Sequence, residues 1–194
     1  AKINANVVQE KGYKISSMTH AAEKKAISKY AASLVRDYEI IYIDAGSTTV
    51  YMVDYLTARN IMVVTECVSV LDRLVDKNIN CYVAGGNLRG NTGVIVGKET
   101  IEKIKSLSFT SVFLGANTFS QATGFATTNE EEASMKRAAL DSGQKKYILI
   151  DSSKFDKMNF YKFAEPTGVT VITDHRLPDF DYSVFDEVVF VDEL

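Results

Sequence analysis

The sequence is poor in the residues that build metal centres and catalytic triads. Its 194 residues include two histidines, two cysteines and two prolines. His20 and His175 lie far apart along the chain, which leaves little material for a His-based metal site or a Ser/His/Asp triad. Cys67 and Cys81 stand in no metal-ligand spacing, and each falls within or beside an apolar run. That is the setting of buried free thiols in a reducing cytoplasm. No metal and no cofactor are expected. The scarcity of proline and the lack of low-complexity sequence leave no evident linker, and there is no repeat at solenoid periods. No apolar run approaches the roughly 20 residues that span a bilayer. Residues 1–20 lack the apolar segment of a secretory signal, so a cytoplasmic protein without a membrane partner is expected. An excess of positive charge is also missing. With 22 Lys and Arg against 25 Asp and Glu, the net charge is -3, whereas a chain that grips nucleic acid by itself needs a basic face.

What is present is an ordinary globular balance, 46% hydrophobic and 24% charged, which suits one domain or one domain with a small appendage. Residues 1–18 read as irregular, with a short strand at 12–16. Thr19 is placed to cap a helix running to about Arg36, with Ala26, Ile27, Tyr30, Ala31, Leu34 and Val35 as its apolar stripe. A rhythm follows. Continuous apolar runs at 40–43, 61–64, 79–84, 112–114, 147–150, 169–172 and 188–191 read as strands covered on both faces. Val94-Ile95-Val96 suits a short strand or hairpin arm. Helices are expected between these runs, including one marked by Val68, Leu71, Leu74 and Val75 and one near 98–106. Another begins at a capping box, Thr128-Asn129-Glu130-Glu131, and ends near Ser142 with Gly143 as its stop. Alternating strands and helices argue for an α/β fold with a mainly parallel, Rossmann-like sheet flanked by helices. In such sheets ligands bind beyond the carboxyl ends of the strands.

The residues at those ends are informative. Asp44-Ala45-Gly46-Ser47-Thr48-Thr49 follows the first strand. Its small residues permit close backbone approach to an anion, its hydroxyls are donors, and a helix start adds N–H groups. The same residues also suit a tight turn with Ser/Thr caps and no ligand. The segment is neither a Walker A loop nor a G-x-G-x-x-G loop. Thr65-Glu66 follows the second strand. Gly85-Gly86-Asn87-Leu88-Arg89-Gly90 follows the third, with Arg89 as a fork for a phosphate or as a solvated side chain. Gly115-Ala116-Asn117 and Asp151-Ser152-Ser153-Lys154-Phe155 follow later strands. Glu132 and Lys136, four apart, share one helix face, where a plain ion pair is the simplest reading. Hydroxyls, glycines, an Arg and a Lys on one sheet edge together favour a small anionic ligand.

Taken in order, Asp44 to Thr49, Gly85-Gly86-Asn87-Leu88-Arg89, Glu132-Ala133-Ser134-Met135-Lys136 and Asp151 to Phe155 resemble the C-terminal sensor domain of DeoR-family transcriptional repressors. The resemblance runs from about residue 15 to the end of the chain and is nearest to members that control lactose or fructose phosphotransferase operons. It implies a fold related to ribose-5-phosphate isomerase and CoA-transferase-like proteins, and a phosphorylated sugar as effector. It also implies an N-terminal winged helix-turn-helix that reads operator DNA and precedes Ala1. Residues 1–18 would then be a lead-in from that reader and residues 19–194 the sensor domain. The effector contacts so implied are Asp44, Gly46, Ser47, Thr48, Thr49, Thr65, Gly85, Gly86, Arg89, Gly115, Glu132, Lys136 and Lys154. Two positions depart from many relatives. Glu66 stands where Asn is common, and Asn117-Thr118 where an Asp-Gly-like turn is common; both bear on the sugar end of the site.

The expectation is therefore a regulatory domain that is not an enzyme, assembled as a homodimer or homotetramer so that paired DNA readers are held at fixed spacing. Tyr161, Phe163 and Phe180 are candidates for interface anchors or for core. The rival is a sugar-phosphate isomerase, with Asp44, Glu66 or Glu132 as base and Lys136 or Lys154 as cation.

Overall fold

The computed structural model describes residues 13–194. Helices α1 (Tyr13–Met18) and α2 (Ala21–Ser33) precede β1 (Ile40–Ile43). A 3-10 turn at Thr49–Tyr51 leads into α3 (Met52–Tyr55) and then β2 (Met62–Thr65). Next come α4 (Leu71–Asp76), β3 (Asn80–Val83), β4 (Asn87–Arg89), β5 (Val94–Val96), α5 (Lys98–Lys105) and β6 (Phe109–Gly115). They are followed by β7 (Thr118–Ser120), β8 (Gly124–Thr127), α6 (Glu130–Ser142), β9 (Gly143–Leu149), β10 (Tyr161–Ala164), β11 (Thr170–Thr173) and β12 (Glu187–Phe190).

Seven strands form one parallel sheet in the order β12-β11-β9-β6-β1-β2-β3. Both faces are covered over its centre, which is why those strands read as continuous apolar runs, whereas the edge strand β3, expected to be covered as well, leaves Tyr82 and Val83 exposed. Tyr42, Val64, Val112, Leu114, Ile148 and Val171 pack to one side with Ile104 of α5 and Ala133, Met135 and Ala138 of α6. Ile41, Ile43, Val63, Phe113, Leu149 and Ile172 pack to the other with Ile27 and Ala31 of α2, Met52 of α3 and Leu74 of α4. Each such fully buried aliphatic side chain contributes roughly 1.5–3 kcal/mol relative to exposure. From β1 the chain adds β2 and β3 on one side, then crosses to β6 on the other. The connections therefore diverge between β1 and β6, and a crevice opens beyond their carboxyl ends.

Two smaller sheets border this edge. β4 and β5 pair as a hairpin, as expected for Val94–Val96. A three-stranded antiparallel sheet, β10-β8-β7, has no counterpart in the sequence reading. Its strands are three or four residues long and carry Thr118, Ser120 and Thr127, so they lack an apolar run. It covers an aromatic cluster in which Phe119 meets Phe125 at 4.6 Å and Phe185 at 4.7 Å between ring centroids, and Phe155 meets Phe180 at 4.8 Å. Phe163 and Phe180 are buried in this core rather than offered as interface anchors, and Tyr161 packs partly buried against it.

Local corrections have physical causes. Residues 13–16 are helical, not a strand; Gly12 of that expected strand, like residues 1–11, lies outside the described residues. Thr19 does not cap α2, because its hydroxyl donates to Ile15 O at 2.9 Å at the end of α1. α2 starts after His20, whose φ of 53° makes the bend. Its buried stripe is Lys24, Ile27, Ser28, Ala31 and Ala32, while Ala26 is exposed. Val68 and Val75 beside and within α4 are exposed as well. Asn129, not Thr128, caps α6, accepting from Glu132 N at 3.0 Å. Gly143 ends α6 in an extended conformation and passes straight into β9. A Cβ there would sit 2.4 Å from Val112 Cγ2, so close packing rather than a left-handed turn calls for glycine. Cys67 is buried as expected, but Cys81 on the edge strand β3 is only half-buried.

Candidate functional site

Asp44 leaves the end of β1 and turns inward, 1% exposed. Its Oδ1 accepts from Gly46 N at 3.0 Å and from the Thr49 hydroxyl at 2.5 Å. Its Oδ2 accepts from Gly115 N at 2.9 Å and from the ammonium of Lys136. Lys136 also donates to Gly115 O at 2.9 Å. One carboxylate thus ties the loop after β1, the end of β6 and α6 together, and its four donors replace the water that burial removed. Gly46 has to be small here, since a Cβ would stand 2.9 Å from both Asp44 Oδ1 and Thr49 Oγ1 and 3.3 Å from Gly115 Cα.

In front of this knot lies a solvent-open cleft. Ser47, Thr48, Gly115, Lys136 and Lys154 line it together with Gly46, Glu66, Asn117 and Glu132. Lys154 reaches it from the turn after β9, donating to Ala116 O at 3.1 Å and pairing with Asp151 at 3.4 Å. Lys154 is the first charge that holds the Asp151 carboxyl below its ordinary range, against the opposing effect of burial, which is the largest influence on it. Glu132 pairs with Arg89 of the hairpin at 3.1 Å and accepts from Thr127 Oγ1 at 3.3 Å. Thr127 in turn donates to Asn117 Oδ1 at 2.9 Å. Glu66, the residue after β2, is 3% exposed and accepts from the Tyr42 hydroxyl at 2.6 Å and Ala45 N at 3.2 Å. Burial first, and then the charge of Asp44, push its carboxyl up to about 7. Burial and the neighbouring Glu66 push the Cys67 thiol up to about 12 and the Tyr42 phenol well above its ordinary value.

The fold thus brings Gly46, Ser47, Thr48, Gly115, Glu132, Lys136 and Lys154 to the cleft wall. Asp44 and Thr49 lie behind it as supports. Arg89 does not line it and reaches it through Glu132. Thr65 points into the protein, fully buried, and accepts from Cys67 N at 3.1 Å. Gly85 and Gly86 sit exposed at the base of the hairpin, off the cleft. Gly85 O accepts from Thr100 Oγ1 at 2.7 Å, and a Cβ on Gly86 would meet Thr100 Oγ1 at 2.2 Å. These glycines shape the hairpin. The helix after the Ser47 loop is also shorter than expected, a 3-10 turn followed by one α turn, so its dipole adds little and the hydroxyls are the main donors.

Several site residues escaped the sequence reading. Ser16 lines the cleft and donates to Ser47 Oγ at 2.9 Å. Lys24, 2% exposed on α2, donates to Ser47 Oγ at 3.0 Å and to Ser16 O. Ser28, one turn on, donates to Thr48 O at 2.6 Å. The available signal was periodic: Lys24 and Ser28 stand at i, i+4 in register with Ile27 and Ala31, polar residues on a stripe otherwise apolar. Among the described residues no group of three or more His, Cys, Asp or Glu side chains is arranged to hold a metal ion. No helix among them is long and apolar enough to cross a membrane.

Comparison with known proteins places this architecture. Residues 19–175 match the sequence model of the DeoR C terminal sensor domain. The chain is 36% identical over 152 residues to the uncharacterized HTH-type transcriptional regulator FruR of Bacillus subtilis strain 168, covering 78% of this chain and 61% of that protein. It is 29% identical over 187 residues to the lactose phosphotransferase system repressor of Staphylococcus epidermidis, covering 90% and 74%. It is 30% identical over 162 residues to the HTH-type transcriptional repressor GlcR of Bacillus subtilis, covering 83% and 62%. The chain thus spans about three fifths of FruR and GlcR. Among solved structures, eIF2B delta from Chaetomium thermophilum superposes with a TM-score of 0.52 at 14% identity, over 78% of this chain and 59% of that one. Ribose 5-phosphate isomerase A from Methanocaldococcus jannaschii gives 0.50 at 14% identity, over 71% and 55%. At that identity the likeness is one of fold, and it is the fold that the ordered motifs implied. With the family match covering six of the seven parallel strands and every cleft-lining residue except Ser16, the chain belongs to the DeoR C-terminal sensor domain family.

Proposed function

We propose that this chain is the ligand-sensing and assembly domain of a DNA-binding transcriptional repressor of sugar metabolism, and that its cleft takes a phosphorylated sugar. The observation that carries this reading is the convergence of the Ser47 and Thr48 loop, Lys136 and Lys154 on one cleft at the point where the sheet's connections diverge. The phosphate lies against Ser47, Thr48 and Lys154, and the sugar hydroxyls face Asn117, Glu132 and Glu66. The names of the relatives, regulators and repressors associated with a lactose phosphotransferase system among them, support a regulatory role. Operator DNA is read by a winged helix-turn-helix ahead of residue 19. Two or four copies associate in the cytoplasm, and the ligand favours one arrangement of the copies, which changes the spacing of their readers.

Turnover is less well supported. An isomerase needs a carboxylate poised to take a substrate proton. Asp44 is committed to four donors behind the cleft and Glu132 to Arg89 and Thr127; Glu66 keeps lone pairs toward the cleft, but the cations that an enediolate would need, Lys136 and Lys154, each already hold a carboxylate. A thermal-shift screen of sugar phosphates followed by calorimetry tests the reading, since a ligand at 100 times its Kd stabilises by about 2.7 kcal/mol. Phosphorylated sugars are expected to bind and the free sugars far more weakly. Equal binding of glucose and glucose 6-phosphate would remove the phosphate assignment. Sustained isomerisation of ribose 5-phosphate would replace regulation by catalysis.

A further inference from the structure

Among the described residues, the carboxylates around the cleft are paired with cations, with one exception. Asp44 has Lys136, Glu132 has Arg89, and Asp151 has Lys154. Glu66 lines the same cleft, nearly as buried as Asp44, and its oxygens take uncharged donors, the Tyr42 hydroxyl and the Ala45 amide. It makes no ion pair among the described residues. The titratable groups that face it are Tyr42 on β1, Asp44 after β1, Cys67 beside it in the chain, and Lys136 on α6, whose ammonium is already held by Asp44 and Gly115 O. Tyr42 and Ala45 each occupy one side of the carboxyl group, and the remaining lone pairs are the ones left for the cleft.

Resting on the reading of the cleft as a phosphate-ester site, we infer that Glu66 is a specificity-determining residue that meets the anionic ligand as the neutral acid, so that binding takes up one proton from solvent. As a carboxylate, Glu66 would add a negative charge with no cation of its own to the wall of a cleft that takes an anion, and like charges repel. As the acid, it keeps its contacts with Tyr42 and Ala45 and donates its O–H to a ligand oxygen. The proton comes from the buffer and resides on Glu66, and no covalent bond to the ligand forms. Selection follows from this. The site favours an anion bearing an acceptor oxygen at Glu66, and the preference for anionic over uncharged sugars weakens as Glu66 ionises. The elevated affinity of this carboxyl for protons in the unliganded protein, about 7, agrees with the geometry.

The test is calorimetric titration of the whole chain with glucose 6-phosphate between about pH 7 and pH 9, where the ester's second ionisation, near 6, is essentially complete. Parallel runs in buffers of different ionisation enthalpy count protons. The expected result at about pH 8 is uptake approaching one proton per ligand, with affinity falling up to about tenfold per pH unit. Glu66→Gln, which mimics the neutral acid, is expected to bind without proton uptake, with affinity flat over the same range and higher than wild type at about pH 9. Binding by the wild type with no proton uptake overturns the inference while leaving the anion site standing, and this measurement does not depend on the variant folding. Unchanged pH dependence in a folded Glu66→Gln protein assigns the proton to another group and also overturns it. Should neither glucose 6-phosphate nor inorganic phosphate bind at any pH, the anion reading itself fails and the inference with it.

Discussion

Replacing Asp44 by Ala removes the acceptor on which four donors converge. The Lys136 ammonium, on a side chain 10% exposed, loses its counter-charge and keeps the Gly115 carbonyl. The amides of Gly46 and Gly115 and the hydroxyl of Thr49 lose the carboxylate as well; of these, Thr49 retains the carbonyls of Asp44 and Gly46. Removing one partner of a buried pair costs about 3–5 kcal/mol, because the remaining charge is desolvated without compensation. At a urea m-value of roughly 2–3 kcal/mol/M, the midpoint should fall by about 1–2.5 M. Equilibrium urea unfolding at neutral pH, followed by circular dichroism, measures it. Pairing the change with Lys136→Met should recover part of the loss, since the stranded ammonium is then gone. A midpoint within about 0.3 M of wild type for Asp44→Ala would refute the view that this carboxylate organises the junction of β1, β6 and α6.

Other expectations follow from particular contacts. Lys154→Ala should weaken glucose 6-phosphate binding by roughly 1.5–3 kcal/mol, the usual loss for a charge-assisted contact. Its stability should fall as well, because the buried Asp151 carboxylate loses its cation, and an unaltered calorimetric Kd in the folded variant would return Lys154 to a purely structural role on Asp151 and Ala116 O. Between the ordinary Glu value of 4.5 and about 7, the folded protein holds a proton on Glu66 that the unfolded chain has released. Wild-type stability relative to Glu66→Gln should therefore fall by roughly 3 kcal/mol as pH rises through that window, and level off above it. Thermal or urea midpoints of the two proteins across the window check the sign, and a difference that grows in favour of wild type would contradict it. Gly143→Ala should destabilise by about 1–3 kcal/mol through overpacking against Val112. Val112→Ala in the same chain should restore part of this, and no such coupling would show that the backbone moves freely there.

The one-dimensional pattern was sufficient for the parallel sheet. Strands buried on both faces must be apolar at every position, so Ile40 to Ile43, Ile61 to Val64 and Val112 to Leu114 declare themselves without knowledge of their neighbours. Sequence order also put the chemistry at strand ends, and the convergence of Ser47, Thr48, Lys136 and Lys154 was legible to that extent. Several features depended on partners distant in the chain. The antiparallel sheet of β7, β8 and β10 is assembled from short, half-polar segments whose strand character comes from pairing, not from propensity. Thr65 and Glu66 are adjacent in sequence, yet side chains alternate across a strand end, so one is buried under Cys67 and the other faces the cleft. Gly85 and Gly86 look like a phosphate turn until α5 packs Thr100 against them. Lys24 reads as a surface residue until α1 and the Ser47 loop close over it. Propensity and hydrophobic period are properties of a local stretch, whereas the direction of a side chain and the identity of its partner depend on which distant segment the fold lays beside it.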